Sequence, residues 1–229
     1  MSNSFIDFFR DYINTFISRE SALIKDGALV LDAGAGDPDF QNHDNRLHYI
    51  TYDLAVGQED WDYSGLDVIG SLEKCAFKDE SFDAICCTQV LEHISEPEAV
   101  LKEMLRILKK EGLLLLTAPQ EWYLHQPPHD YFRYTKYGLE HLLCKAGFTI
   151  DKIEPLGGYF IFLSHRIGLF HRFFFPPVDS FLIKVLRKPL KMFVVWFFGN
   201  FLPKVIAKLD KHDKERYVTC GYGVVARRA

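Results

Sequence analysis

The sequence predicts an α/β sandwich built on a largely parallel sheet, and three observations carry that prediction. Apolar runs of strand length alternate with stretches of helical periodicity through most of the first 155 residues. One of the strands, residues 113–116, is four leucines without polar alternation, as expected of a strand covered on both faces. The first run, residues 28–31, ends in Asp32, Gly34 and Gly36, so a buried strand turns sharply into a glycine-rich loop where such sheets bind ligands. A chain of 229 residues can bury a substantial core as one large domain with an elaboration.

The elements follow in order. Residues 2–24 place Phe5, Phe9, Tyr12, Ile13, Phe16 and Ile17 at helical spacing, giving a helix that packs on the body or a lid over the ligand. The glycines of the next loop let backbone approach a bound molecule closely. Asp39 stands where a dinucleotide fingerprint has its third glycine, and Asp37 and Asp39 would repel a pyrophosphate. Residues 48–52 form the second strand, closed by Asp53. That carboxylate lies 19 residues after Gly34 and is placed to accept both ribose hydroxyls of a nucleoside. A weak third strand, 67–69, precedes Gly70, Ser71 and Leu72. A polar turn at 78–81 leads into a fourth strand, 82–87, whose end is polar at Thr88 and Gln89.

Ser95 and Glu98 form a capping-box pattern for a helix with its apolar stripe at Val100, Leu101, Met104, Leu105 and Leu108. Basic residues and Gly112, at 109–112, are expected to end it before the leucine strand. Residues 119–135 make a loop dense in Trp122, Tyr123, His125, His129, Tyr131, Phe132 and Tyr134, a candidate acceptor wall. Thr135 caps a helix running through Cys144, Gly147 stops it, and 148–153 is the next strand. From Gly158 the character changes, with 11 of the 20 phenylalanines between Phe160 and Phe201. Pro176, Pro177, Pro189 and Pro203 are expected to divide this stretch into short helices, and its longest uncharged run, 192–203, is shorter than the roughly 20 residues that span a bilayer. An alternating stretch, 217–227, returns as a last strand, with 212–215 as its charged approach. The expected organisation is a helical segment 1–27, a ligand-binding core 28–157, a hydrophobic basic helical insertion 158–216, and a final core strand 217–229.

The net charge of −4 is uneven. Residues 158–216 hold 11 Lys or Arg against 4 Asp or Glu, an excess of seven positive charges, while the remainder stands at −11. An acidic body without an aromatic-basic stripe excludes nucleic acid as partner. Cys75, Cys86, Cys87, Cys144 and Cys220 form no C-x-x-C pair, which points to a reducing, cytoplasmic setting without structural zinc.

Taken together, the motifs resemble class I S-adenosylmethionine-dependent methyltransferases. The matching stretches are L-D-A-G-A-G at 31–36, Asp53 closing the second strand, G-S-L-E-K-C-A-F at 70–77, S-F-D-A-I-C-C-T-Q-V-L-E-H at 81–93 and L-K-E-M-L-R-I-L-K-K-E-G-L-L-L-L-T-A-P at 101–119. The stretches P-P-H-D-Y-F-R-Y-T at 127–135 and G-L-E-H-L-L-C-K-A-G-F at 138–148 also resemble the small-molecule and glycan-pathway branch. The resemblance implies a Rossmann-like three-layer sandwich with a seven-stranded, mostly parallel sheet and an antiparallel last strand. It implies S-adenosylmethionine as cofactor and S-adenosylhomocysteine as product. Carried over by position, Asp32, Ala33, Gly34 and Gly36 surround the methionine part, Asp53 and Leu54 the ribose, Ser71 and Leu72 the adenine, and Thr88 and Gln89 the transferred methyl. Relatives commonly carry Asp where this chain has Ser71, which implies a differently arranged adenine contact. The N-P-P-Y pattern of nucleobase amine methylation is absent, since the fourth strand ends C-T-Q-V.

An acceptor hydroxyl would need a base, and neutral imidazole suits that task near pH 7. His129 and His93 are the candidates, with Asp130 as orienter. His125, Tyr131, Arg133 and Tyr134 are candidate acceptor contacts, Arg133 either holding an anionic acceptor or pairing with an acid. His125, His129 and Asp130 lack a clear third metal ligand, so no metal is expected. The expected acceptor is a small molecule, sugar or lipid-linked intermediate. Residues 158–209 are expected to cap the site, form a homodimer interface or lie on the inner face of a membrane through Arg172, Lys184, Arg187, Lys188 and Lys191. The rival reading is a non-catalytic binding or scaffold protein on the same sheet.

Overall fold

The computed structural model describes residues 7–36, 44–57, 61–170, 173 and 181–229, with backbone only at 181–186. Phe5, Asp37, Asp39, Arg172, Phe174, Phe175, Pro176, Pro177 and the side chain of Lys184 lie outside the described residues. The chain divides into two compact units, one of Ile13–Leu156 with Gly221–Ala229 and one of Met1–Tyr12 with Gly157–Cys220.

The larger unit is built on seven strands: β1 (Leu29–Ala33), β2 (His48–Asp53), β3 (Val68–Ile69), β4 (Phe82–Thr88), β5 (Leu108–Pro119), β6 (Phe148–Leu156) and β7 (Gly221–Arg228). Their order in the sheet is β3-β2-β1-β4-β5-β7-β6. All pairings among β1 to β5 are parallel, and β7 runs antiparallel to both β5 and β6. This is the Rossmann-like methyltransferase architecture. Strand order reverses beside β1, whose neighbours are β2 and β4, so a crevice opens at the carboxyl ends of these strands. Leu114, Leu115 and Leu116 of β5 are fully buried, as their unbroken apolar run requires.

Helix α1 (Phe8–Glu20) delivers Phe16 to this unit, where the ring covers Gly223 of β7 so closely that a methyl group there would stand 2.7 Å from it. Helix α2 (Pro97–Ile107) buries Val100, Leu101, Met104 and Ile107 under the sheet. Its start differs from the capping-box expectation. Pro97 takes the first turn, no side chain caps the helix, and Glu98 binds Lys102 at 2.7 Å and Lys145 at 2.6 Å instead of reaching back. Its end differs too. The basic run after Leu108 belongs to β5, because Leu108 already pairs with Phe82 and Lys109 reaches Asp83 at 2.7 Å. Helix α3 (Lys136–Ala146) follows the expectation, with the Thr135 hydroxyl accepting from Gly138 N and Gly147 closing it at φ +107°.

In the smaller unit, α4 (Tyr159–Phe170) packs against the segment Phe197–Phe201 and α6 (Leu202–Ala207). Its N-terminus is held by acids from far along the chain. Buried Asp210 accepts from Gly158 N and Ile161 N, and Asp213 accepts from Tyr159 N. Negative charge at a helix start is favourable, which gives the charged stretch around 212 a structural use the sequence reading did not foresee. Helix α5 (Phe181–Trp196) contains Pro189, and Pro203 sits in the first turn of α6. Pro189 and Pro203 therefore do not split the helix, Pro203 because a first-turn proline costs no hydrogen bond and the wider π-turn at Phe197–Phe201 joins the pieces. The resulting helix, Arg187–His212, is 26 residues and is long and apolar enough, by length and composition, to cross a membrane. The length argument from the 12-residue run is corrected accordingly. The last strand starts at Gly221 rather than 217, and Tyr217 is exposed.

Candidate active site

At the carboxyl end of β1 the chain must turn under β4. Gly34 does so at φ +78°, and a side chain there would collide with Val90 at 2.3 Å. Gly36, at φ +61°, lies against Trp61. The amides of Gly34 and Ala35 are taken up by the Tyr52 carbonyl. One Asp53 carboxylate oxygen accepts from Gly36 N at 3.1 Å and the other from Ala55 N at 2.7 Å. The loop and the acid expected to share a nucleoside are therefore joined directly. Each oxygen keeps a lone pair for a further donor, as a pair of ribose hydroxyls would be.

The other expected cofactor residues lie on β1 and β4 and the turns that follow β2, β3 and β4. Asp32 and Ala33 are buried at the end of β1, and Leu54 is half exposed beside Asp53. Gly70 N bonds the Asp53 carbonyl, and Gly70 has no room for a side chain over the Tyr52 hydroxyl. That hydroxyl donates to Ser71 O, which fixes the turn, while Ser71 Oγ is engaged by Glu73 N and Leu72 is buried. On the far side Thr88 ends β4, and Gln89 is held at φ +56° by bonds from its backbone and its side chain to Thr117. Trp61 was not foreseen; its isolation in a polar stretch was the one available signal.

The wall loop is tied to the turn that follows β4. Tyr131 N and Phe132 N donate to the Glu92 carbonyl, Tyr134 N to Pro119 O, and the Tyr134 hydroxyl to Leu91 O. Tyr134 is buried, with its phenol pushed up by that burial, so it builds the loop and presents no surface to an acceptor. Arg133 is likewise spent. Its guanidinium donates to both oxygens of Asp130 and to the carbonyls of Trp122, Tyr123 and Phe132, using all its N–H groups. The pairing alternative for Arg133 is thus the one the geometry adopts. Asp130, held well below the usual carboxylate range by that guanidinium, also accepts from His125 N and stands 3.4 Å from His125 Nδ1. It orients His125 rather than His129.

Among the histidines, His129 is exposed, with Nδ1 3.4 Å from the Tyr131 hydroxyl. His93 turns Nδ1 to the His129 carbonyl and buries Nε2 without a hydrogen-bond partner. Its ring meets that of His125 edge-on at 4.7 Å, and burial lowers the pKa of both. Below them Glu92 is fully buried, neither carboxylate oxygen has a hydrogen-bond partner, and burial pushes the carboxyl up to about 8. Sequence reasoning passed over Glu92 as a mere neighbour of His93, because burial is not visible in a polar E-H pair.

Residues 31–116 match a family described as a methyltransferase domain. A comparison with the curated proteins finds no match. Among solved structures, the chain is similar to an S-adenosylmethionine-dependent methyltransferase from Archaeoglobus fulgidus at TM-score 0.58 and 16% identity, covering 95% of this chain and 94% of that one. It is similar to a 1,6-didemethyltoxoflavin-N1-methyltransferase from Burkholderia thailandensis, solved with 1,6-didemethyltoxoflavin and S-adenosylhomocysteine, at TM-score 0.54 and 14% identity, covering 100% and 80%. The [4+2]-cyclase SpnF shares the fold at TM-score 0.57 and 17% identity, covering 96% and 81%. The chain thus carries a stretch that matches a methyltransferase domain, within a fold shared with S-adenosylmethionine-dependent methyltransferases.

Proposed function

We propose that the protein methylates an oxygen of a small-molecule, sugar or lipid-linked acceptor, as expected for a glycan pathway. The observation that carries this reading is the wall loop, which anchors exposed His129 and Tyr131 through Glu92 to the turn after β4, on the same end of the sheet as Asp53 and the glycine loop.

S-adenosylmethionine supplies a methyl already activated by its sulfonium. The protein's work is to hold and orient. Asp53 would accept hydroxyl hydrogen bonds from the ribose, Gly34 and Gly36 would allow close backbone approach, and Ser71 with Leu72 would border the base. Thr88 and Gln89, pinned to Thr117, form a rigid edge against which an acceptor can be aligned. His129, the accessible imidazole, takes the acceptor's proton, while His93 gives Nδ1 to the His129 carbonyl, keeps Nε2 buried and supports the loop. Tyr131 positions His129, and His125 with Tyr131 lines the acceptor side.

A membrane-facing role of the smaller unit is favoured by one feature. Leu190, Phe193, Trp196, Phe201, Val205 and Leu209 are all exposed along one long helix, with Arg187, Lys188, Lys191, Lys204 and Lys208 among them. Such a stripe with interspersed cations suits an anionic lipid surface and a lipid-linked acceptor at the inner face of a membrane.

The test is transfer of labelled methyl from S-adenosylmethionine into cell extract, separated into water-soluble and lipid fractions. Label confined to base-stable N-methyl or C-methyl products would overturn the oxygen-acceptor reading. Saturable cofactor binding without any turnover would favour the non-catalytic alternative.

A further inference from the structure

We infer that Glu92, His93 and His125 form a binding site for a divalent transition-metal cation of the zinc type. One ligand atom from each of the three residues lies within 4.8 Å of the others, with Glu92 beneath and the two imidazoles, at 14% and 18% side-chain exposure, toward solvent. Glu92 Oε1 stands 3.9 Å from His93 Nε2, too far for a hydrogen bond and close enough for a shared cation to be reached by small side-chain rotations.

Each imidazole is already fixed in a ligating orientation. His93 Nδ1 faces the His129 carbonyl and His125 Nδ1 faces the Tyr123 carbonyl at 3.1 Å, so each ring donates through Nδ1 and carries its lone pair on Nε2. A ring N–H given to a backbone carbonyl is the usual outer support of a metal-bound histidine, and Asp130 beside His125 adds a carboxylate to it.

Glu92 supplies the second, independent observation. A fully buried carboxyl group with both oxygens unpartnered is costly whether ionised or protonated, since a protonated one would need an acceptor it does not have. Arg133 cannot relieve it, because every N–H of that guanidinium is committed to Asp130 and to carbonyls. A cation between Glu92, His93 and a ring nitrogen of His125 would satisfy the orphaned carboxylate and the orphaned His93 Nε2 together. Two imidazoles and one carboxylate suit zinc and leave a position for water or an acceptor oxygen. The sequence expectation of no metal weighed His125 and His129 with Asp130, whereas the cluster here joins His125 to Glu92 and His93.

The experiment uses the full chain, stripped with EDTA and desalted, then titrated with Zn²⁺ by calorimetry and with Co²⁺ followed by visible absorption. The expected result is one equivalent bound per chain, intense Co²⁺ bands of low coordination number, and at least tenfold weaker binding in both Glu92→Gln and His125→Gln. His125 lies on the loop, so His125→Gln remains informative if Glu92→Gln fails to fold; thermal melts and S-adenosylmethionine calorimetry check folding in parallel. No saturable binding, or binding unchanged in His125→Gln, overturns the site. Because cofactor binding is read separately, loss of this inference leaves the methyl-transfer reading standing.

Discussion

At the scale of single residues the turn after β1, and with it the proposed cofactor seat, depends on Gly34 and Asp53. A methyl group at Gly34 would meet Val90 inside contact distance while the backbone stays at φ +78°. Gly34→Ala should therefore cost about 2 to 4 kcal/mol in chemical denaturation and also weaken cofactor binding. Asp53→Ala removes acceptors for two backbone amides and for the ribose. Its expected effect in calorimetry is a 10- to 100-fold rise in the Kd for S-adenosylmethionine, from about 1.5 to 3 kcal/mol of charge-assisted hydrogen bonding. His129→Ala should lower kcat by about 100-fold with cofactor affinity unchanged, measured on the acceptor the labelling experiment identifies. Both Gly34 and Asp53 were legible in the sequence because backbone geometry restricts the residue type at such positions. Arg133 and Tyr134 were not, since a polar side chain in a loop reads alike whether it faces an acceptor or, as here, fastens the loop from inside.

At the scale of elements, local signals were readable where one residue governs one hydrogen bond. Thr135 and Gly147 delimit α3 as their side-chain and backbone chemistry requires. Thr135→Ala should cost about 1 kcal/mol, seen as a lower denaturation midpoint with unchanged m-value. The signals misread were those with two competing uses. Lys109 and Lys110 look like a helix end, yet they ride on β5 because pairing of Leu108 with Phe82 starts the strand at once. Ser95 and Glu98 look like a capping box, but Pro97 supplies the helix start and two lysines claim Glu98. Strand pairing outweighed local preference in the first case, and Pro97 with the two lysines did so in the second.

At the scale of the molecule, the seven-stranded order follows from alternation and burial, while the partners of the charged residues do not. Glu20 is buried and binds Lys152 at 2.6 Å and Arg19 at 2.7 Å. Burial alone would raise its pKa, but these two cations bring it below 4.5. The stabilisation is present above about pH 4.5 and is lost as pH falls through that lowered range. Glu20→Gln should therefore lower stability at pH 7 by about 1 to 3 kcal/mol, with the gap from wild type closing in melts at acid pH. For the smaller unit, the stripe along Arg187–His212 should bring the protein up with anionic liposomes at low salt; Trp196→Ser with Phe193→Ser should leave it at the bottom of the gradient.

The position of β7 also governs how the protein comes into being. This strand lies between β5 and β6 yet follows the whole of residues 157–220 in the chain. While the ribosome is still making those residues, β5 has no partner on that side, and its leucine-rich edge is open to any other nascent chain. The order of synthesis thus makes closure of the core a late event, completed only when residues 221–228 emerge. Chaperone demand should concentrate in the interval between the two.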